Sequence, residues 1–161
     1  MILVRETTQE DLKLVQQLWA DGDVMRFVGF PEGLHESDEA MQRWYARIEK
    51  TRPMRNHFSV FEDGVYCGES FYAIDAEHGH SAALDIKLLK AARGRGIATR
   101  ALSHAIEAAF QNGAESVWVD PDPKNVKAVA LYERLGFERK PMPDHLAGDG
   151  EVTSLYMERR R

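Results

Sequence analysis

The segment Arg93-Gly94-Arg95-Gly96-Ile97-Ala98 has the composition of an anion-binding turn. Two glycines one residue apart remove the Cβ atoms that would keep a phosphate from the backbone. A helix starting directly after them offers unpaired N–H groups that converge on one point, at the end where its dipole favours negative charge. Arg93, Arg95 and Arg100 add cations nearby. The spacing is not that of a P-loop, which needs GxxxxGK followed by Ser or Thr, and Thr99 stands where a dinucleotide fingerprint has its third glycine. An RNA-binding arginine–glycine tract does not fit either, because the arginines lead into a strongly periodic helix. Taken alone, these residues leave two readings open: an anion site, or an ordinary glycine loop before a helix.

Other chemically distinctive residues are sparse. Cys67 is the single cysteine, which excludes an internal disulfide, suits a reducing cytoplasm and reads as a buried strand residue. His78-Gly79-His80 pairs two imidazoles, but no cluster of further ligands accompanies it, so no metal is expected.

The elements that must position the turn follow from periodicity. Ile2 to Arg5 reads as a strand, and Thr8 with Asp11 as the capping box of a helix whose stripe is Leu12, Val15, Leu18 and Trp19. Residues 23–31 form an apolar connector without clear period. A second helix starts near Ser37, repeats Met41, Trp44, Tyr45 and Ile48, and stops before Pro53. His57–Phe61 and Val65–Ile74 are strands joined by the Asp63-Gly64 hairpin turn. In the next strand, Ser81–Leu89, Ala83, Asp85 and Lys87 alternate with Leu84, Ile86 and Leu88. The most regular helix follows the glycine turn, with Ile97, Ala101, Leu102, Ala105, Ile106, Ala109 and Phe110 on one face and Asn112-Gly113 at its end. Ser116–Asp120 is a strand, Asn125–Leu135 a helix, and Val152–Met157 the last strand. No repeat or linker divides the chain, so one domain over residues 1–161 is expected. The fold class is α+β, an α/β three-layer arrangement whose mixed, mostly antiparallel sheet of six to seven strands is flanked by helices.

Two segments resemble signatures of the GNAT N-acetyltransferase family. Arg93-x-x-Gly96-x-Ala98 is similar to its pyrophosphate-binding turn (Gln or Arg, two residues, Gly, one residue, Gly or Ala), in the expected place between the fourth strand and third helix. Asn125-x-x-Ala128-x-x-Leu131-Tyr132-x-x-x-Gly136-Phe137 looks like its second signature. The resemblance implies acetyl-CoA as co-substrate, its pyrophosphate held by backbone around Gly94, Gly96 and Ala98 with Arg93, Arg95 and Thr99 close by. It also implies that the strand near Ile86 to Leu88 pairs with the pantetheine, that Asn125 contacts the cofactor as well as capping its helix, and that Tyr132 protonates the departing thiolate. Acyl transfer from a thioester by direct attack needs a neutral amine, a polarised carbonyl and a proton for sulfur, with no Cys or Ser nucleophile. The leading base is Asp85, which could instead hold an ammonium group, and Glu69 is second. The stretch Asp120-Pro121-Asp122-Pro123-Lys124-Asn125 resembles aminoglycoside 6'-N-acetyltransferases, in which acids matching Asp85 and Asp120 face a cationic sugar. Trp19 and Phe27, with Trp44, are candidates for the acceptor pocket, the tryptophans equally for the core. Weaker likeness extends to acetyltransferases of ribosomal-protein N-termini and polyamines. Three functions stay in view: acetylation of a small aminoglycoside- or polyamine-like amine, acetylation of peptide N-termini, and non-catalytic acyl-CoA sensing.

Bulk properties agree. The 161 residues are 43% hydrophobic and 29% charged, as in an ordinary globular domain. A net charge of −5, from 26 acids and 21 bases, argues against nucleic-acid binding and is compatible with a cationic acceptor. No apolar run is long enough to span a membrane, and Met1–Glu6 lacks the features of a signal peptide, so a cytoplasmic monomer or homodimer is expected. The terminal Glu158-Arg159-Arg160-Arg161 reads as a solvated end.

Overall fold

A computed structural model describes residues 1–148, 150 and 153–161. The described residues form seven strands, β1 (Ile2–Glu6), β2 (Arg55–Glu62), β3 (Val65–Asp75), β4 (Ser81–Leu88), β5 (Ser116–Val119), β6 (Glu138–Arg139) and β7 (Met157–Arg160). Six helices accompany them: α1 (Leu12–Ala20), α2 (Gly22–Met25), α3 (Asp38–Thr51), α4 (Ile97–Gln111), α5 (Val126–Arg134) and α6 (Asp144–Ala147). The strands make one sheet in the order β1-β2-β3-β4-β5-β7-β6. Only β4 and β5 run parallel; the other neighbours are antiparallel. The mixed, mostly antiparallel sheet expected from the sequence is therefore present, with the upper of the two strand counts.

Strand alternation assigns two faces. Phe58, Tyr72, Leu84, Val117 and Met157 pack against α4 and α5 in the main core. Ile97, Ala101, Leu102, Ala105, Ile106 and Ala109 are the buried residues of α4, the stripe its periodicity predicts. Burying Ile97, Leu102 and Ile106 contributes about 1.5–3 kcal/mol each. The opposite face is covered by α1 and α3 through Leu12, Val15, Leu18, Met41, Tyr45 and Ile48. Local chemistry marks three of the helix starts as expected. Asp11 Oδ2 accepts from the Thr8 amide at 2.8 Å, Ser37 Oγ from Ala40 N at 3.1 Å, and Asn125 Oδ1 from Ala128 N at 3.3 Å.

Three local expectations change. The final strand is Met157–Arg160, not Val152–Met157, and Val152 lies outside the described residues. Residues first read as a solvated tail pair with β5 along Ser116–Val119. The cause is that long charged side chains can line a sheet while their heads reach water or partners. Thus Arg159 Nη1 donates to Leu135 O at 3.1 Å, and its guanidinium lies 5.9 Å from the Phe110 ring centroid. The connector at 23–31 contains the short helix α2 and a 3₁₀ turn over Arg26–Val28. The two-residue strand β6 carries no alternation long enough to be read.

A bulge shapes the middle of the sheet. Val60 pairs with Gly68 and Phe61 with Tyr66, so Cys67 is the extra residue on β3. Gly68 sits at φ +150°, and a Cβ there would lie 2.0 Å from the Lys87 carbonyl oxygen. Gly68→Ala is accordingly expected to cost about 1–3 kcal/mol or more of unfolding free energy. Urea denaturation measures it; an unchanged midpoint would show that β3 and β4 can separate here without penalty.

Candidate active site

The site begins where two parallel strands part. The β4–β5 ladder runs Ser81–Ala83 against Ser116–Trp118 and then stops, while β4 continues through Leu84, Asp85, Ile86 and Lys87 to Leu88. Beyond Ala83 no strand among the described residues pairs with that edge of β4, so the sheet offers backbone groups to a ligand entering the split. The Ile86 amide meanwhile donates to Asp85 Oδ1 at 2.9 Å.

The glycine turn lies at the end of β4. Gly94 and Gly96 both hold positive φ, +77° and +80°, and a Cβ built on either would meet nothing within 4 Å. The glycines are therefore needed for backbone conformation, and the space above them is open, as an approaching phosphate requires. Gly96 is the N-cap residue of α4, and no side chain caps that end. Ala98 and Thr99 lie in its first turn. The three arginines differ. Arg93 turns inward: Nε and Nη2 donate to Leu88 O at 3.1 and 3.0 Å, and Nη1 lies 2.9 Å from Asp23 Oδ2. Arg93 thus braces the turn against β4 and α2. Arg95 pairs with Glu62 and stays half exposed, and Arg100 is exposed.

At the split itself, the charges of Asp85 and Asp120 bear on Tyr132, and that of Asp85 bears on Asp120. Tyr132 is buried on α5, its ring 5.8 Å from that of Phe137. Burial, then the charges of Asp85 and Asp120, push its pKa well above the ordinary phenol value, so the hydroxyl keeps its proton. Among the described residues no side chain is hydrogen-bonded to that hydroxyl. Asp120 follows β5, and its carboxyl is raised from the usual carboxylate value by desolvation and then by Asp85. Its side chain reaches solvent, yet enough protein surrounds it to disfavour the charge. The sequence candidates Asp85 on β4, Asp120 just after β5 and Tyr132 on α5 thus lie near enough for the two carboxylate charges to bear on the phenol.

Glu69 is placed differently. It is 4% exposed, and its carboxylate is already engaged. Trp19 Nε1 donates to both oxygens, at 3.1 and 3.0 Å, His57 Nε2 lies 2.6 Å from Oε2, and Lys87 Nζ lies 3.4 Å from Oε1. Burial opposes the charge, but His57, Lys87 and Trp19 outweigh it and hold the carboxyl far below its normal value. A carboxylate so stabilised is a poor proton acceptor. The chain of contacts continues from His57 Nδ1 to Thr7 Oγ1 at 2.6 Å and from there to Ser59 Oγ at 2.7 Å. The edge of Trp44 covers His57 at 4.7 Å and meets Trp19 at 5.0 Å. Lys87 also contacts Asp85. Burial would depress its ammonium, yet Asp85 and then Glu69 raise it, so Lys87 stays charged.

His57 and Lys87 are the members of this network that sequence reasoning missed. For Lys87 the signal is a polar row across four strands, Arg5–Ser59–Glu69–Lys87, which appears only once the register is known; His57 pairs with Phe71 and lies outside that row. Trp19 serves it as a hydrogen-bond donor from α1. Phe27 lies apart, 37% exposed after α2, with the Arg26 guanidinium 4.7 Å above its ring.

Comparison with known proteins bears on this geometry. The family model described as an acetyltransferase (GNAT) domain matches residues 2–138. The chain belongs to the GNAT acetyltransferase family. An N-alpha-acetyltransferase of Arabidopsis thaliana is 44% identical over 52 residues, covering 32% of this chain and 27% of the relative. Streptothricin acetyltransferase of Streptomyces lavendulae is 29% identical over 107 residues, covering 64% of this chain and 56% of the relative. This GNAT chain therefore spans about a quarter and about half of the lengths of those two curated relatives. Spermidine N-acetyltransferase from Vibrio cholerae, solved with CoA and spermine, superposes with a TM-score of 0.78 at 19% identity over 98% of this chain and 92% of its own. That last likeness is one of fold.

Proposed function

We propose that this GNAT protein transfers an acetyl group from acetyl-CoA to a primary amine of a cationic, aminoglycoside- or polyamine-like small molecule, by direct attack. The observation that carries the reading is the single split between β4 and β5, with an open anion turn at one end and Asp85, Asp120 and Tyr132 gathered at it. The pyrophosphate would be held by the amides around Gly94, Gly96 and Ala98, near Arg95 and Thr99, and by the uncapped end of α4. Arg93 shapes that turn from below. The pantetheine would lie along the free edge of Ile86 to Leu88, its far side near Asn125. The relatives named for streptothricin and spermidine support a cationic acceptor.

Each residue then has a role. Asp120 and Asp85 attract the ammonium form of the acceptor, and Asp85, directly or through water, takes the proton that makes it nucleophilic. A strand amide polarises the thioester carbonyl. The amine nitrogen forms the new bond to the acyl carbon, the carbon–sulfur bond breaks, Tyr132 gives its proton to the leaving sulfur, and the proton that the acylated nitrogen sheds restores the phenol, directly or through water. Glu69 acts through Lys87, which it holds against Asp85.

The test is release of free CoA from acetyl-CoA across a panel of aminoglycosides, polyamines and peptides with free N-termini. Turnover with the small cationic amines is expected. Turnover with peptides alone would replace this reading by protein N-terminal acetylation, for which the Arabidopsis relative speaks. CoA binding without turnover on any amine would leave an acyl-CoA sensor.

A further inference from the structure

Away from the split, three ligand-type side chains converge from separate parts of the chain. Asp75 ends β3, His78 sits in the β3–β4 turn, and His145 comes from α6. One ligand atom from each lies within 4.8 Å of the others. His78 Nδ1 is 2.7 Å from Asp75 Oδ2, and the His78 and His145 rings stack at 3.9 Å with 1° between their planes. We propose that Asp75, His78 and His145 form a binding site for a divalent transition-metal ion of the zinc class.

The donor set is two imidazoles and one carboxylate, the combination that suits zinc and its first-row neighbours. Asp75 is oriented for this, because its other oxygen, Oδ1, accepts from the Glu77 amide at 3.0 Å. Such a contact fixes a ligating carboxylate in direction. Tetrahedral ligands at zinc bond lengths stand about 3.3 Å apart, so the 4.8 Å cluster must contract. Both imidazoles are exposed, and rotation of their side chains can close that gap without disturbing the core. Three protein ligands leave one position of a tetrahedral ion open. That position has somewhere to face. Asp75 and His145 themselves line a groove of about 340 Å³ with Ala83, Trp118 and Arg55. The ion would tie α6 to the β3–β4 turn along one wall of the groove. The sequence suggested His78 with His80 and lacked further ligands; the fold instead supplies Asp75 and His145.

The experiment is titration of the chelator-treated full chain with Co²⁺ and Zn²⁺, followed by visible absorption and calorimetry. One saturable site is expected, with the absorption of a Co²⁺ ion bound to nitrogen and oxygen. His78→Asn, His145→Asn and Asp75→Asn should each weaken it at least about tenfold, while His35→Asn, at an exposed histidine elsewhere, should not. Retained CoA binding shows that each variant is folded. Binding that appears only at millimolar metal, or that survives His145→Asn unchanged, overturns the site and leaves the stacked imidazoles as a latch between two loops.

Discussion

Tyr132→Phe is expected to lower kcat by about two orders of magnitude or more while leaving CoA affinity and thermal stability nearly unchanged. The ring is packed in the core, and phenylalanine keeps its packing. Because no described side chain is hydrogen-bonded to the hydroxyl, its loss strands no buried partner, which is what makes such deletions costly elsewhere. What goes is a proton. Burial and the nearby carboxylates keep the phenol protonated at every working pH, but they also make it a reluctant acid. A cationic acceptor bound between Asp85 and Asp120 offsets their charges and so lowers the barrier to giving that proton up as the thiolate forms. Two measurements check this. Equal kcat in the variant would remove Tyr132 from the chemistry. A fall in CoA affinity as large as the fall in kcat would make it a binding residue instead.

How much of this site could be read in the sequence depends on how local each determinant is. The glycine turn, α4 and α5 were legible because their signals lie within one element: paired glycines, an apolar stripe, an Asn cap. The side-chain direction of Arg93 was not. Its residue type suggests a phosphate ligand, and the structure folds it onto Leu88 O and Asp23, partners brought beside it from other elements. β7 was misplaced for a related reason. Its Glu158-Arg159-Arg160 run looks like a solvated end until β5 and Phe110 are beside it.

The buried network shows the same limit more sharply. Glu69 stands opposite Ser59, on the His57 side of the sheet, only because Cys67 bulges out of the β2–β3 ladder and resets the phase of β3, while Lys87 is set beside it by the β3–β4 register. A strict alternation counted from Val65 along β3 cannot register that shift, so His57 and Lys87 are invisible as partners of Glu69. A polar residue between apolar neighbours, Ser59 in β2 and Lys87 in β4, was the available hint, and it becomes specific only when the strands are aligned.

That network carries the largest stability prediction. Glu69 has its carboxyl lowered from 4.5 to about 2. A depressed acid contributes stability that is fully present above its unfolded pKa and is lost as pH falls through its folded one. The window is therefore about pH 4.5 down to 2, and the shift corresponds to about 3 kcal/mol. Lys87 moves the other way: its raised ammonium is lost only on the alkaline side of its ordinary range, so it leaves the acid window untouched. At neutral pH, Glu69→Ala should cost about 3–5 kcal/mol, because it leaves His57 Nε2 and the part-buried Trp19 indole without their carboxylate partner and Lys87 with Asp85 alone. Glu69→Gln keeps the shape and an acceptor oxygen and should cost less. In urea unfolding, the gap between the wild type and Glu69→Gln should narrow steadily as pH falls through that window. A gap constant with pH would mean that ionisation of Glu69 is not coupled to folding. Trp19 donates to the carboxylate and Trp44 covers His57, so the transition should be visible in tryptophan fluorescence as α1 and α3 lose their hold on the sheet.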